Sequence, residues 1–209
     1  MPLVKIVLEG AIAGLAFASG DNFVVGLWDS GPLGPMTDVM WARPDGSRVL
    51  LAPDEDVAAF VAGTYSFDET RVVPIRAARS REGFSVTAGD VHLDADAGRA
   101  HPLFAARPRP LRRWLPWVRF EDAVLRRLVG RFVVGGAEGV RMHGTTPSGA
   151  REWYRIDGYR TIVAARGEVA GADLGALTEL RPDPGFGFSG FPSRPALVSC
   201  SPVIDRPPG

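Results

Sequence analysis

The chain is poor in the residues that carry much of covalent and metal chemistry. Among 209 residues there is one cysteine (Cys200), one lysine (Lys5) and three histidines (His92, His101 and His143). A single cysteine forms no intramolecular disulfide, which fits a reducing compartment. It sits in the run LVSCSPV, where it reads as a small buried apolar side chain rather than a nucleophile. Schiff-base chemistry needs a desolvated lysine, and Lys5 lies just inside an N-terminal strand-like run. There is no Gly-Lys-Ser/Thr, hence no P-loop. The histidines are far apart and lack a paired cysteine or an HExxH spacing, so no metal and no cofactor is expected. Formal net charge is zero, and no global field points to a nucleic-acid partner. No apolar run approaches the roughly 20 residues that a membrane span needs. AIAGLAFAS (11–19) has the small residues of a leader cleavage site. Glu9 interrupts the apolar stretch, however, and only Lys5 precedes it, so a cytoplasmic location is expected.

What the chain does have is enough apolar residues, 45%, to build a substantial core. LVKIVLEG (3–10) and FVVGLWDS (23–30) read as strands. DVMWARPDGSRVLLAP (38–53) reads as a hairpin turning at Asp45-Gly46. A two-residue turn there sets Arg43 opposite Arg48, Trp41 opposite Leu50 and Met40 opposite Leu51. Both faces carry large apolar groups, so the hairpin is expected to be covered on both sides. Asp54 is a candidate N-cap for a helix ending near Gly63, with Val57, Phe60 and Val61 as its apolar stripe. Strands follow at 70–79, 83–89 and 90–98. In the last, Val91, Leu93 and Ala95 alternate with His92, Asp94 and Asp96, the pattern of a half-buried strand. Further helices are expected over 120–129 and, as a short turn, around 172–180. Residues 131–204 otherwise return to strands. The expectation is one domain over 1–209, its strand-rich parts 1–100 and 131–204 joined by a basic, partly helical segment.

The most reactive-looking stretch is GVRMHGTTPSGAREWYRIDGYRTI (139–162). A turn over Thr146–Gly149 sets His143 opposite Glu152 and Arg141 opposite Tyr154, all four on one face, with Val140, Met142 and Trp153 on the other. A second turn at Asp157-Gly158 then pairs Tyr154 with Thr161. A glutamate beside a histidine suits general acid–base work, and an arginine nearby suits an anion. The alternative is an ordinary solvated sheet face.

Other features point less specifically. Residues 107–131 hold eight arginines against two acids, with Trp114 and Trp117 among them, which suits a phosphate or membrane surface or a solvated loop. LDADAGR (93–99) lacks the ligands of a calcium loop. PGFGFSGFP (184–192) reads as an irregular edge or an aromatic pocket rim. DVMWARPDGSRVLLAP, TYSFDETRVVPI, REWY and the spacing of DLGAL to FGF together resemble uncharacterised proteins of high-GC actinobacteria. That resemblance implies no activity.

These readings combine into an α+β fold: a mainly antiparallel, curled or barrel-like sheet with two or three peripheral helices. The favoured function is non-catalytic binding or regulation by a small apolar or amphipathic ligand. Its site would be lined by Trp28, Trp41, Trp153, Phe186 and Phe188, with Met142, Arg141 and Tyr154 beside them. The alternatives are an enzyme using His143 and Glu152 on a small anionic substrate, and a structural module that forms a homodimer through an exposed sheet edge.

Overall fold

The computed structural model describes residues 4–102, 140–181, 185–187 and 189–206. Its strands are β1 (Val4–Val7), β2 (Glu9–Ala16), β3 (Asn22–Ser30), β4 (Met36–Ala42), β5 (Arg48–Ala52), β6 (Glu69–Val72), β7 (Ile75–Arg79), β8 (Gly83–Ala88), β9 (Val91–Ala100), β10 (His143–Thr145), β11 (Arg151–Val169), β12 (Ala172–Asp173) and β13 (Ala196–Arg206). One helix, α1 (Glu55–Ala62), lies between β5 and β6.

All thirteen strands form one sheet in the order β6-β5-β4-β3-β2-β13-β11-β9-β8-β7, with β1, β10 and β12 attached at its sides. Among the described strands only β5 and β6 pair in parallel, the pairing that a crossover helix permits; the other described pairs are antiparallel. Strand β13, near the C-terminus, lies between β2 and β11 and so joins the early and late parts of the chain. The result is a curled half-barrel.

The fold class expected from the sequence needs correction. Among the described residues 58% are in strands and 6% are helical, so the fold is nearly all β rather than α+β. Of the expected helices, α1 is the one found among the described residues. The segment around 172–180 forms β12 and a bridge from Phe17 to Leu177, and 120–129 lies outside the described residues. The helical reading at ADLGALTEL rested on short apolar spacing, which cannot separate a turn of helix from a strand return.

The concave face is an apolar core drawn from both ends of the sheet. Leu15, Phe23, Val25, Val39, Trp41 and Val49 meet Phe84, Val86, Val91 and Leu93. Phe23 stacks on Trp41 with ring centroids 5.8 Å apart and meets Phe17 edge-on at 6.1 Å. The Trp41 indole N–H donates to Asp21 Oδ1 at 2.7 Å, so the ring is buried without losing a hydrogen bond. Ala11 and Ala13 of β2, fully buried, let the sheet curl closely around this core.

The outer face is covered by α1 and by segments 64–67, 185–187 and 189–191. Its core comprises Trp28, Met36, Leu50, Val57, Val61, Tyr159, Val198 and Cys200, with Tyr65, Tyr154 and Phe191 packed against it. Asp54 caps α1, as expected: its Oδ1 accepts from the Val57 N–H at 2.9 Å, and Val57, Ala58 and Val61 face the sheet. The β4–β5 hairpin is indeed covered on both sides, with Trp41 and Val49 inward and Met40 and Leu50 under α1.

Its register differs by one residue from the expected one. Trp41 pairs with Val49, Met40 with Leu50 and Ala42 with Arg48. The Gly46 N–H donates to the Arg43 carbonyl, the Arg43 N–H donates to the Ser47 carbonyl, and Gly46 has φ +90°. This is a three-residue loop with proline leading and glycine in the left-handed position, not the two-residue turn.

Candidate functional site

The 143–153 hairpin repeats that geometry. The Gly149 N–H donates to the Thr146 carbonyl, the Thr146 N–H donates to the Ala150 carbonyl, and Gly149 has φ +84°. Thr145 therefore pairs with Arg151, Gly144 with Glu152, and His143 with Trp153. A shift of one residue reverses faces, so His143 and Glu152 project to opposite sides of the sheet instead of sharing one. Nor is there a second turn at Asp157-Gly158. Strand β11 runs unbroken through it with a bulge against β13 between Ile156 and Gly158. Tyr154 pairs with Pro202 and Thr161 with Ala196, rather than with each other. Asp157 accepts a hydrogen bond from Arg155 Nε at 3.2 Å across this bulge.

The expected binding residues fall in separate places. Trp41 belongs to the concave core and Trp28 to the outer one. Trp153 and Met142 form a small third cluster, with Lys5 Nζ 5.7 Å from the Trp153 ring. Phe186 is buried against Phe67, their centroids 5.7 Å apart. Arg141 is exposed, and its backbone N–H donates to Ser189 Oγ at 2.9 Å. Phe188 lies outside the described residues. The aromatic residues grouped from the sequence as one interior thus do not share one.

Two polar constellations occupy the outer face instead. The first surrounds Glu152, which is buried on β11. The Tyr65 hydroxyl, just beyond α1, donates to Glu152 Oε1 at 2.6 Å, and the Tyr65 and Tyr154 hydroxyls lie 3.1 Å apart. Burial, and then the charge of Glu152, holds both phenols well above their ordinary range, so both stay protonated. Cys200 lies in the same core, and burial pushes its thiol up as well. A protonated, buried thiol is a poor nucleophile.

The second constellation is Trp28 and Asp38. Asp38 stands opposite Gly26, and Trp28 is two residues further along β3, so the two side chains meet diagonally across the strands. The Trp28 indole N–H donates to Asp38 Oδ1 at 3.0 Å. A Cβ on residue 26 would come within 2.3 Å of that oxygen and 2.6 Å of the indole nitrogen, so glycine there makes room for the bond. Asp38 is 2% exposed, and its Oδ2 has no hydrogen-bond partner among the described residues. Burial outweighs the Trp28 hydrogen bond and raises the Asp38 pKa to about 6.

Trp28 also lines a cleft of ≈ 580 Å³ at the seam where β7 approaches β4 and the half-barrel stays open. Leu27, Leu33, Met36, Val57 and Ile75 give it apolar surface. Asp29, Asp54, Asp56 and Arg79 give it charge. Arg79 of β7 bridges the seam by pairing with Asp29 of β3. The two constellations are distinct. Asp38, Gly26, Ile12, Val198 and Tyr159 form one row across five strands, which places Asp38 roughly 19 Å from the β11 side.

Sequence reasoning missed Asp38, Arg79 and Tyr65. Asp38 did carry a signal: it is the lone acid in the strand MTDVMWA. The contacts of Arg79 and Tyr65 join residues 50 and 87 positions apart, which local patterns do not show.

Among the described residues no group of three His, Cys, Asp or Glu is placed to hold a metal ion, and no helix is long and apolar enough to cross a membrane. No protein-family model matches the chain, and no curated protein matches it.

Proposed function

We propose that this is a non-catalytic binding protein whose ligand is a small amphipathic molecule seated in the seam cleft. The observation that carries the reading is the cleft itself. Its ≈ 580 Å³ is within the usual span of small-molecule sites, and its wall combines an indole and aliphatic side chains with a few charges. The separation of His143 from Glu152 and the protonated state of Cys200 favour binding over acid–base or thiol chemistry. The buried, single cysteine suits a reducing compartment such as the cytoplasm.

Native mass spectrometry of the protein purified from its own host tests this. A co-purifying small molecule that is lost on Trp28→Ala, while Trp153→Ala retains it, is the expected result. A ligand retained by Trp28→Ala would place the site elsewhere.

A further inference from the structure

We infer that the ligand of the seam cleft is an organic cation with a short apolar body, an inference that rests on the binding reading above. The charges of the wall favour it. Among the described lining residues Asp29, Asp54 and Asp56 stand against a single Arg79, and Arg79 is already engaged by Asp29, so none of these leaves a cation to receive a carboxylate or phosphate. Asp56 is exposed and makes no ion pair among the described residues. Acids in the first turn of α1 also offset the positive helix end that would otherwise draw an anion.

The second and independent observation is Asp38. It lies on the same sheet face as Met36 and Trp28, both of which line the cleft. Its Oδ1 holds the Trp28 N–H, and its Oδ2 is buried without a partner among the described residues. A buried carboxylate is costly without a counter-charge. A cation resting on the Trp28 ring would supply one. An indole that donates its N–H to a carboxylate gains π-electron density, which strengthens the attraction of its face for a cation. The apolar body would lie along Leu33, Met36 and Ile75.

Three probes of equal chain length test this on the intact chain near neutral pH: hexyltrimethylammonium, hexanoate and 1-hexanol. The readout is the NMR cross-peak of the Trp28 indole N–H, assigned with Trp28→Phe. Hexyltrimethylammonium is expected to shift that peak and to bind at least about fivefold more tightly than the other two. Asp38→Asn and Asp56→Asn are each expected to weaken it about threefold or more. Equal or tighter binding of hexanoate or hexanol would overturn the cation inference and leave the binding reading standing. Unchanged affinity in Asp56→Asn, an exposed position where folding is not at stake, would also overturn it. If none of the three probes moves the Trp28 peak, the binding reading falls and the inference with it.

Discussion

The two faces of the sheet are made by alternate residues of the same strands, yet they solve different problems. On β3 and β4 the concave side takes Phe23, Val25, Val39 and Trp41, and its only polar contact there is a satisfied indole N–H. One residue along, the outer side takes Trp28 and a buried carboxylate, Asp38. Further across, it takes Glu152 with Tyr65 and Tyr154. The concave face gains free energy chiefly from apolar burial, and its buried carboxylate, Asp21, is satisfied by the Trp41 indole. The outer face keeps ionisable groups at a cost, which is where a binding site is to be sought.

Substitutions on each face sharpen that contrast. The largest effect belongs to the concave face: Phe23→Ala removes a ring packed on Phe17 and Trp41 and should cost about 3–5 kcal/mol in denaturant unfolding. On the outer face the sign reverses at Asp38. Its ordinary pKa of 3.8 is raised to about 6, so between those values the folded chain holds a proton that the unfolded chain has released. Stability therefore falls as pH rises through that window, and the penalty persists above it. Asp38→Asn should recover about 1–3 kcal/mol at neutral pH and flatten the slope between pH 4 and 6, as read by urea midpoints across pH. A stability loss at neutral pH with an unchanged slope would break the contrast. Tyr65→Phe takes away the donor to buried Glu152 and should cost about 1–2 kcal/mol, with fold retained by circular dichroism. Asp54→Ala, at the exposed end of α1, should cost about 1 kcal/mol in the same assay.

What could be read from the sequence followed the same division. Strands with clean alternation, such as Val91–Ala100, were legible because period-two burial is written residue by residue. The cap at Asp54 was legible because capping is local chemistry. Register was not. Arg43-Pro44-Asp45-Gly46 and Thr146-Pro147-Ser148-Gly149 each close a three-residue loop, and in both the expected pairing slipped by one. Proline fixes the first loop position and glycine takes the left-handed third, a signature that Asp-Gly alone concealed. Gly158 shows the converse: its φ is not positive, and Asp157-Gly158 makes a bulge instead of a turn. AIAGLAFAS shows in the sequence only its likeness to a leader cleavage site, yet its first six residues belong to β2, near the centre of the sheet. Its alanines and Gly14 leave room for the curl and for the Phe191 ring. The seam cleft was out of reach because it exists only where β7 returns to β4.

The character of the outer face turns on Asp38, a carboxylate buried behind the cleft wall at Trp28. Carbon-detected NMR titration of the Asp38 side-chain carboxyl in the free protein measures it directly. A midpoint near 6 is expected. A midpoint at or below the ordinary 3.8 would mean that Asp38 is solvated or already paired, and would contradict the account.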